Sequence, residues 1–571
     1  MLLSNLDLLA TAPGGVARLR ELILTLAVQG KLVPQDPKDE PASELLKKIR
    51  AEKDVLIADK KIRRSKPLDP IDESECEFVL PCNWELERLG NLGDWGAGAT
   101  PSRSNSNYYG GDIPWFKSGE LTADFISESE ETVTAAALRE CSLRLNQVGD
   151  VLIAMYGATI GKTAILSVVA TTNQAVCACT PFVGLSNTYL LLLMKALKPY
   201  FISIGAGGAQ PNISREKVVA TVIGLPPLAE QSRIVTRVEE LMRLCDALEA
   251  KGQLAATAHA QLVSTLLATL TDSETPEQLA DNWHRIATHF DLLLDRPQAV
   301  DAPEQTILQL AVRGLLMPQD PQDEPASVLL KKIRAEKDKL IAEGKIKRDK
   351  PLPPIGEEEQ PFALPLGWEW TQTGHLVNDS EAGWSPTCIG SPRRSGHWGV
   401  LKVSAVSWGA FDANANKELP ENLLPRPEYE VQDGDFLLSR ANTEELVARS
   451  VVVGKAEPLL MLSDKIIRLD VSSLMSRDFL NLCNNANHAR AHYIANASGT
   501  SSSMKNVSRE VVLGTPVPLP PRAEQSRIVT RVAQLRRLCA DLRQRLAASQ
   551  STQGRLAEAL VSTVGSGQPV L

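Results

Sequence analysis

The chain has 571 residues, 43% hydrophobic and 23% charged, with a formal net charge of −8. It is too long for one core, so three to five compact units are expected, and no apolar run reaches 18 residues, which speaks against a membrane span. The acidic balance argues against a nucleic-acid binder, whose footprint is usually basic, without excluding a local basic groove or phosphate contacts made by partner subunits.

The N-terminus (MLLSNLDLLATAPGGVARLRELI) has no basic region ahead of an apolar stretch. It is read as the start of an amphipathic helix rather than a signal peptide. Residues 22–71 then return at 306–355 with 37 of 50 positions identical. Within this repeat, Leu45, Leu46, Ile49, Leu56 and Ile57 alternate with Lys-, Glu- and Arg-rich faces and predict a helix over 42–60. It stops before Lys66-Pro67-Leu68-Asp69-Pro70, and its copy before Lys350-Pro351-Leu352-Pro353-Pro354, because proline ends helices. The charged faces are either solvated or a docking surface. A partner that docks on one copy would dock on the other, about a pseudo-twofold axis.

Each repeat leads into an insert through a similar phrase, Leu80-Pro81-Cys82-Asn83-Trp84 and Leu364-Pro365-Leu366-Gly367-Trp368. Beyond it the two inserts barely resemble each other. Strands are expected at 150–155, 163–169 and 175–180 in the first, and at 400–406, 435–438 and 466–471 in the second, separated by Gly, Ser and Asn loops. An α/β domain with a twisted sheet and polar loops fits both. The loops carry side chains that reach base edges and phosphates. In the first insert these are Thr100, Ser102, Arg103, Asn105, Tyr108, Lys117, Tyr156, Lys162 and Gln210. In the second they are Arg393, Arg394, Lys402, Arg440, Asn442, Thr443, Ser501 and Lys505. Arg pairs with guanine and Asn with adenine through two hydrogen bonds each, while a plain polar turn cluster is the competing description.

Three patterns suggest other chemistry and fall short. Gly157-Ala158-Thr159-Ile160-Gly161-Lys162-Thr163 is one residue short of a phosphate loop, since Tyr156 stands where a glycine is required. His488 and His492 are spaced for one helix face, without the glutamate or third ligand of a metal site. The nine cysteines form no CxxC pair; Cys177 and Cys179 share one face of a strand, and reduced thiols are expected. No nucleophile elbow and no amino-methyltransferase motif occurs.

A second repeated element, 225–248, returns at 519–542 with 18 of 24 positions identical. Apolar residues fall at Ile234, Val238, Leu241, Cys245 and Leu248, and again at Ile528, Val532, Leu535, Cys539 and Leu542, alternating four and three apart. This is the seam of a coiled coil. The helices are expected over 228–270 and 522–564, about 65 Å long at ~1.5 Å per residue. Packed antiparallel, they would hold the inserts a set distance apart. Residues 271–302 have no counterpart and are read as a linker with one helix over 276–294.

The duplicated LPPLAEQSRIVTRV/LPPRAEQSRIVTRV, the LPxxW openings, and TPSRSNSNYYGGDIPW, GDVLIAMYGATIGKTA and AQPNIS resemble the specificity subunits of Type I restriction-modification systems over nearly the whole chain. The resemblance implies a mixed α/β fold: two α/β target recognition domains on a pseudo-twofold frame of long antiparallel coiled-coil helices. It places a helical arm at 1–84, the first recognition domain at 85–224 and a long helix with linker at 225–304. A second arm then occupies 305–368, the second domain 369–518 and the last long helix 519–571. It implies a cytoplasmic, non-catalytic subunit that reads one half of a bipartite double-stranded DNA site with each domain. Two methyltransferase subunits, and restriction subunits through them, would be its partners; S-adenosylmethionine, ATP and Mg would be bound by those partners and not by this chain. The recognition domains are the variable part of that family, so base-reading residues do not transfer by position. A fused or Type II-like modification system, a coiled-coil adaptor, and a nucleotide-dependent enzyme using the GATIGKT loop are the rival readings.

Overall fold

The duplicated stretches fold alike. In the computed structural model, which describes residues 6–566 apart from 65, 77, 206–210, 274, 349, 358–359, 408 and 502–503, the arm helix Ala42–Ala58 and its copy Ala326–Ala342 bury the same stripe. Leu45 and Ile49 match Leu329 and Ile333. The Ala42 amide donates to the Asn83 carbonyl at 3.0 Å, and the Ala326 amide to that of Gly367 at 2.9 Å. Gly30 (φ 68°) and Gly314 (φ 72°) turn the chain after the preceding helices, and a Cβ on either would lie 2.5 Å from the ring of Pro81 or Pro365. Positive φ and the close approach both require glycine.

Each LPxxW tryptophan joins its arm to a long helix. The Trp84 Nε1–H donates to Glu230 at 3.0 Å, and Gln35 donates to the same carboxylate at 2.6 Å. In the copy, Trp368 and Gln319 donate to Glu524 at 3.0 and 3.3 Å. Arg233 pairs with Asp39 as Arg527 pairs with Asp323. Burial pushes the Glu230 and Glu524 carboxyls up, and the tryptophan and glutamine hydrogen bonds pull them back.

The long helices run Leu228–Thr271 and Arg522–Ser566. Two compact units result, Met1–Ala256 with Ser549–Leu571, and Thr257–Ala548. Each therefore contains one arm, one insert and part of both long helices. The expected seam positions are buried at Ile234, Val238, Cys245, Ile528 and Val532 and half-buried at Leu241, Leu248, Leu535, Cys539 and Leu542. Their surroundings change along the helix. Ile234 and Val238 lie in one core with Trp84 and Tyr189, as Ile528 and Val532 do with Trp368 and Tyr493. Farther along, Leu241 and Leu248 join Ala557 and Val561, and Leu542 joins Val263, Leu267 and Leu270.

The first long helix is, among the described residues, the one helix long and apolar enough by length and composition to cross a membrane. Its Val263, Leu267 and Leu270 instead bury against Ile286, Leu293 and Leu294 of the linker. The linker helix expected over 276–294 is broken at His289 into Pro276–Thr288 and Phe290–Leu293, with Thr275 accepting from the Gln278 amide as its N-cap.

Among the described residues the first insert has ten strands: β1 (Glu85–Arg88), β2 (Gly93–Ala97), β3 (Tyr109–Phe116), β4 (Phe125–Ile126), β5 (Thr132–Val133), β6 (Val151–Ala154), β7 (Thr163–Leu166), β8 (Thr171–Thr172), β9 (Val176–Pro181) and β10 (Val222–Leu225). They form sheets ordered β2-β9-β6-β7-β4, β5-β3-β8 and β1-β10. The second insert has β11 (Glu369–Gln372), β12 (Val377–Ala382), β13 (Gly399–Leu401), β14 (Asn416–Glu418), β15 (Phe436–Ser439), β16 (Ala441–Asn442), β17 (Ser450–Val452), β18 (Leu460–Met461), β19 (Ile466–Val471), β20 (Ser498–Ser501), β21 (Met504–Asn506) and β22 (Pro516–Leu519). Its sheets run β12-β19-β15-β17, β14-β13-β18, β11-β22 and β16-β21-β20. Position by position, β2-β9-β6-β7 answers to β12-β19-β15-β17, and β5-β3-β8 to β14-β13-β18. In both three-stranded sheets the middle strand is antiparallel to one neighbour and parallel to the other. Two inserts of unlike sequence thus share a core topology, to which the first adds β4 and the second the β16-β21-β20 sheet. The expected strand over 400–406 is corrected: Gly399–Leu401 is followed by a 3-10 turn, Val403–Val406.

Candidate nucleic-acid interface

Strand register brings the predicted loops together. In the first insert, β2 ends at Ala97 opposite Cys177, near the start of β9, and β6 ends at Ala154 opposite Val176. Thr163 opens β7 opposite Ile153. The loops after β2, before β9 and between β6 and β7 therefore leave the same end of the sheet. Backbone bonds tie them: Gly98 N to Val176 O at 2.9 Å, Met155 N to Ala175 O at 2.8 Å, and Gly157 N to Pro211 O at 2.8 Å. The second insert repeats this. Ala382 ends β12 opposite Ile467, Ser439 ends β15 opposite Ile466, and Ser450 opens β17 opposite Leu438. β16 pairs with β21, placing Asn442 opposite Lys505 at that end.

On the first surface, Thr100 bonds Gln174, Ser102 bonds Ser104 at 2.8 Å, and Asn105 accepts from the Asn107 amide at 3.2 Å. The Tyr108 hydroxyl donates to Glu140 at 3.0 Å. Arg103 lies over the Tyr109 ring at 4.6 Å and the Trp115 ring at 5.3 Å, a cation–π shelf. Its guanidinium forks onto Glu131 at 2.5 and 3.1 Å. Lys117 bonds Glu130 at 2.8 Å and Glu131 at 3.1 Å. These donors, Arg103 first, hold the Glu131 carboxyl down at about 2, so it is ionised throughout the neutral range. Tyr156 is exposed and Lys162 half-buried, and Gln210 lies outside the described residues.

On the second surface, Arg394 donates to Glu418 from Nη2 at 2.6 Å and from Nε to both carboxylate oxygens at 3.0 and 3.2 Å, and reaches Glu421 at 3.3 Å. Arg393 is tucked against Glu457 at 3.0 Å and the His397 carbonyl at 3.2 Å. Asn442 donates to the Ser407 hydroxyl at 2.9 Å, and the Thr443 amide donates to Asn442 at 2.9 Å. Lys505 donates to the Gly499 carbonyl at 3.2 Å. Arg440 is exposed and Lys402 half-buried; Ser501 ends β20.

Two groups of residues escape sequence reasoning. Lys195 and Lys198 line a cleft of about 670 Å³ with Lys162, although they come from helices more than thirty residues downstream. Arg426 covers the Trp384 ring at 4.4 Å. No local pattern announces either contact, because both depend on tertiary approach.

The other suggested chemistries dissolve in context. The GATIGKT loop joins β6 to the antiparallel β7. A phosphate loop opens a helix, whose N-terminal amides and dipole hold the anion, and no helix follows here. His488 is buried at the edges of Phe362 and Trp370, and burial pushes it down to about 4. His492 instead faces the Val511 carbonyl at 3.1 Å. Cys177 and Cys179 are buried on β9 and free, and burial pushes both thiols up.

Residues 81–256 match the family described as Type I restriction modification DNA specificity domain. The chain is 40% identical over 566 residues to the Type I restriction enzyme EcoEI specificity subunit of Escherichia coli, covering 96% of this chain and 93% of that one. It is 36% identical over 573 residues to the EcoAI specificity subunit of Escherichia coli, with the same coverage, 96% and 93%. Among solved structures, the crystal structure of the HsdS subunit from Thermoanaerobacter tengcongensis is similar at 17% identity, with a TM-score of 0.36 over 86% of this chain and 98% of that one.

Proposed function

Because the chain belongs to the specificity subunits of Type I restriction enzymes, it is a DNA-recognition, non-catalytic subunit, and we propose that its two inserts each read one half of a bipartite duplex site. The observation that carries this is the pairing of like topology with unlike loops. Both inserts gather polar loops at the same end of the same sheet, yet the loop residues differ. One scaffold presenting two different reading surfaces suits an asymmetric target.

In this reading the long helices form a pseudo-twofold, antiparallel coiled-coil frame that sets the gap between half-sites. Half-sites about one helical turn apart, roughly 34 Å, suit a reader of this kind. The duplicated arms, with their matched Lys48–Glu40 and Lys332–Glu324 pairs, dock two copies of a methyltransferase subunit, and restriction subunits join through them. S-adenosylmethionine, ATP and Mg are bound by those partners, and the target base flips into the partner's pocket. The complex works in the cytoplasm. Of the candidate residues, Arg103, Asn105, Arg394, Asn442 and Thr443 face bases, and Lys162, Lys402 and Arg440 face phosphates.

The test is a segment exchange. Residues 85–224 are replaced by the equivalent insert of a relative, and methylated sites are mapped in cells expressing the chain with its methyltransferase. One half-site changes, while the other half and the gap stay. If both halves changed, the modular reading would be wrong.

A further inference from the structure

Both inserts carry more acid than base. Between positions 85 and 224, ten Lys and Arg face twelve Asp and Glu; between 369 and 518, fourteen face seventeen. A reader built on free cations binds any phosphate backbone. Here three of the four candidate arginines, Arg103, Arg393 and Arg394, are already engaged by carboxylates. Glu131 presents one oxygen to each end nitrogen of Arg103, at 2.5 and 3.1 Å. Those are two acceptors at fork spacing, the arrangement that guanine offers through O6 and N7. The Tyr109 and Trp115 rings pack on the guanidinium, with centroids 4.6 and 5.3 Å from its central carbon. The Glu130 side chain pairs with Lys117 and not, among the described residues, with Arg103. In the second insert Glu418 also engages Arg394, but side-on, with Nη2 donating to Oε1 and Nε donating to both oxygens.

We propose that Glu131 determines specificity in the first insert: its carboxylate fills the Arg103 fork in place of a base edge and yields it only to a duplex that offers an equivalent pair of acceptors. This rests on the reading of the inserts as DNA readers. A matching base replaces the two hydrogen bonds of Glu131 one for one. A phosphate has to displace the same carboxylate while Glu130 and Glu131 repel it. The acid therefore weakens binding to wrong sequences more than to the right one, which is how repulsion produces discrimination. The bond between strands at this point uses the Glu131 carbonyl, which accepts from the Trp115 amide at 3.0 Å, so changing the side chain leaves the sheet intact.

The experiment uses the full chain assembled with its methyltransferase subunits. The probes are a duplex carrying the sequence methylated in cells and duplexes of equal length with either half-site scrambled. With Glu131→Gln, binding to the duplex scrambled in the first insert's half-site tightens about tenfold. The slope of log affinity against log salt steepens by about 1 to 2, the signature of one or two cations released to phosphates. Binding to the matched duplex gains less, so the ratio falls. Glu130→Gln steepens the slope and leaves the ratio unchanged. The proposal is overturned if Glu131→Gln leaves both ratio and slope as they were, or if Glu130→Gln lowers the ratio equally, which would assign the effect to bulk charge. A wild-type complex unable to distinguish matched from scrambled duplexes would overturn the reading of the inserts instead.

Discussion

Charge at single residues divides the interface into two kinds of group. Arg103, Lys117 and Arg394 are bound to carboxylates, whereas Arg440 stands exposed and Lys162 lines a lysine-rich cleft. A cation already neutralised adds little to backbone attraction; a free one releases a counterion when it meets a phosphate. Lys162→Ala and Arg440→Ala are each expected to lower affinity for all duplexes alike and to reduce the salt slope by about 1. Fluorescence anisotropy at several salt concentrations checks both. A change of sequence preference in either variant would place that residue on a base. The loop chemistry was legible in the sequence as residue types, since Arg, Asn and Lys lie between strand signals at 100–109, 156–163 and 440–443. Their commitments were not. Glu131 is 28 positions from Arg103 and Glu418 is 24 from Arg394, separations at which no helical or strand period links two side chains.

Among elements, the junction of arm, tryptophan and long helix is the duplicated chemical unit. Trp84 and Trp368 are 3% and 6% exposed, and each indole N–H meets a glutamate in the first turn of a long helix. Replacing either tryptophan by phenylalanine keeps most of the buried ring and leaves the carboxylate short of one donor. The expected cost is about 1–3 kcal/mol at each site, similar in the two because the partners are the same. Denaturant unfolding of the two single variants checks this, and a clear inequality between them would show that the two junctions are not equivalent. The helices of these junctions follow from apolar spacing, and the observed Leu228–Thr271 and Arg522–Ser566 agree with it to within two residues. Of the expected seam positions, Ile234 and Val238 lie in the core that holds Trp84. A four-three spacing states that one face is buried, without stating what covers it.

In the whole molecule, the proposed frame ties length of helix to length of DNA. If the frame sets the gap, inserting one heptad in each long helix adds about 10 Å, which is about three base pairs at ~3.4 Å each. Mapping methylated sites in cells expressing the altered chain checks this; an unchanged gap would remove the long helices from the role of spacer. The sequence by itself determined the duplication, the helices of the frame and the presence of two unlike inserts, because repeats and apolar periods are local or self-comparing signals. Only the tertiary structure decided that the inserts share one core strand order, that their loops leave the same end of the sheet, and that Arg103, Arg393 and Arg394 are held by acids. Those facts rest on pairings between strands and side chains far apart in the chain, where register and packing, rather than any local pattern, choose the partner.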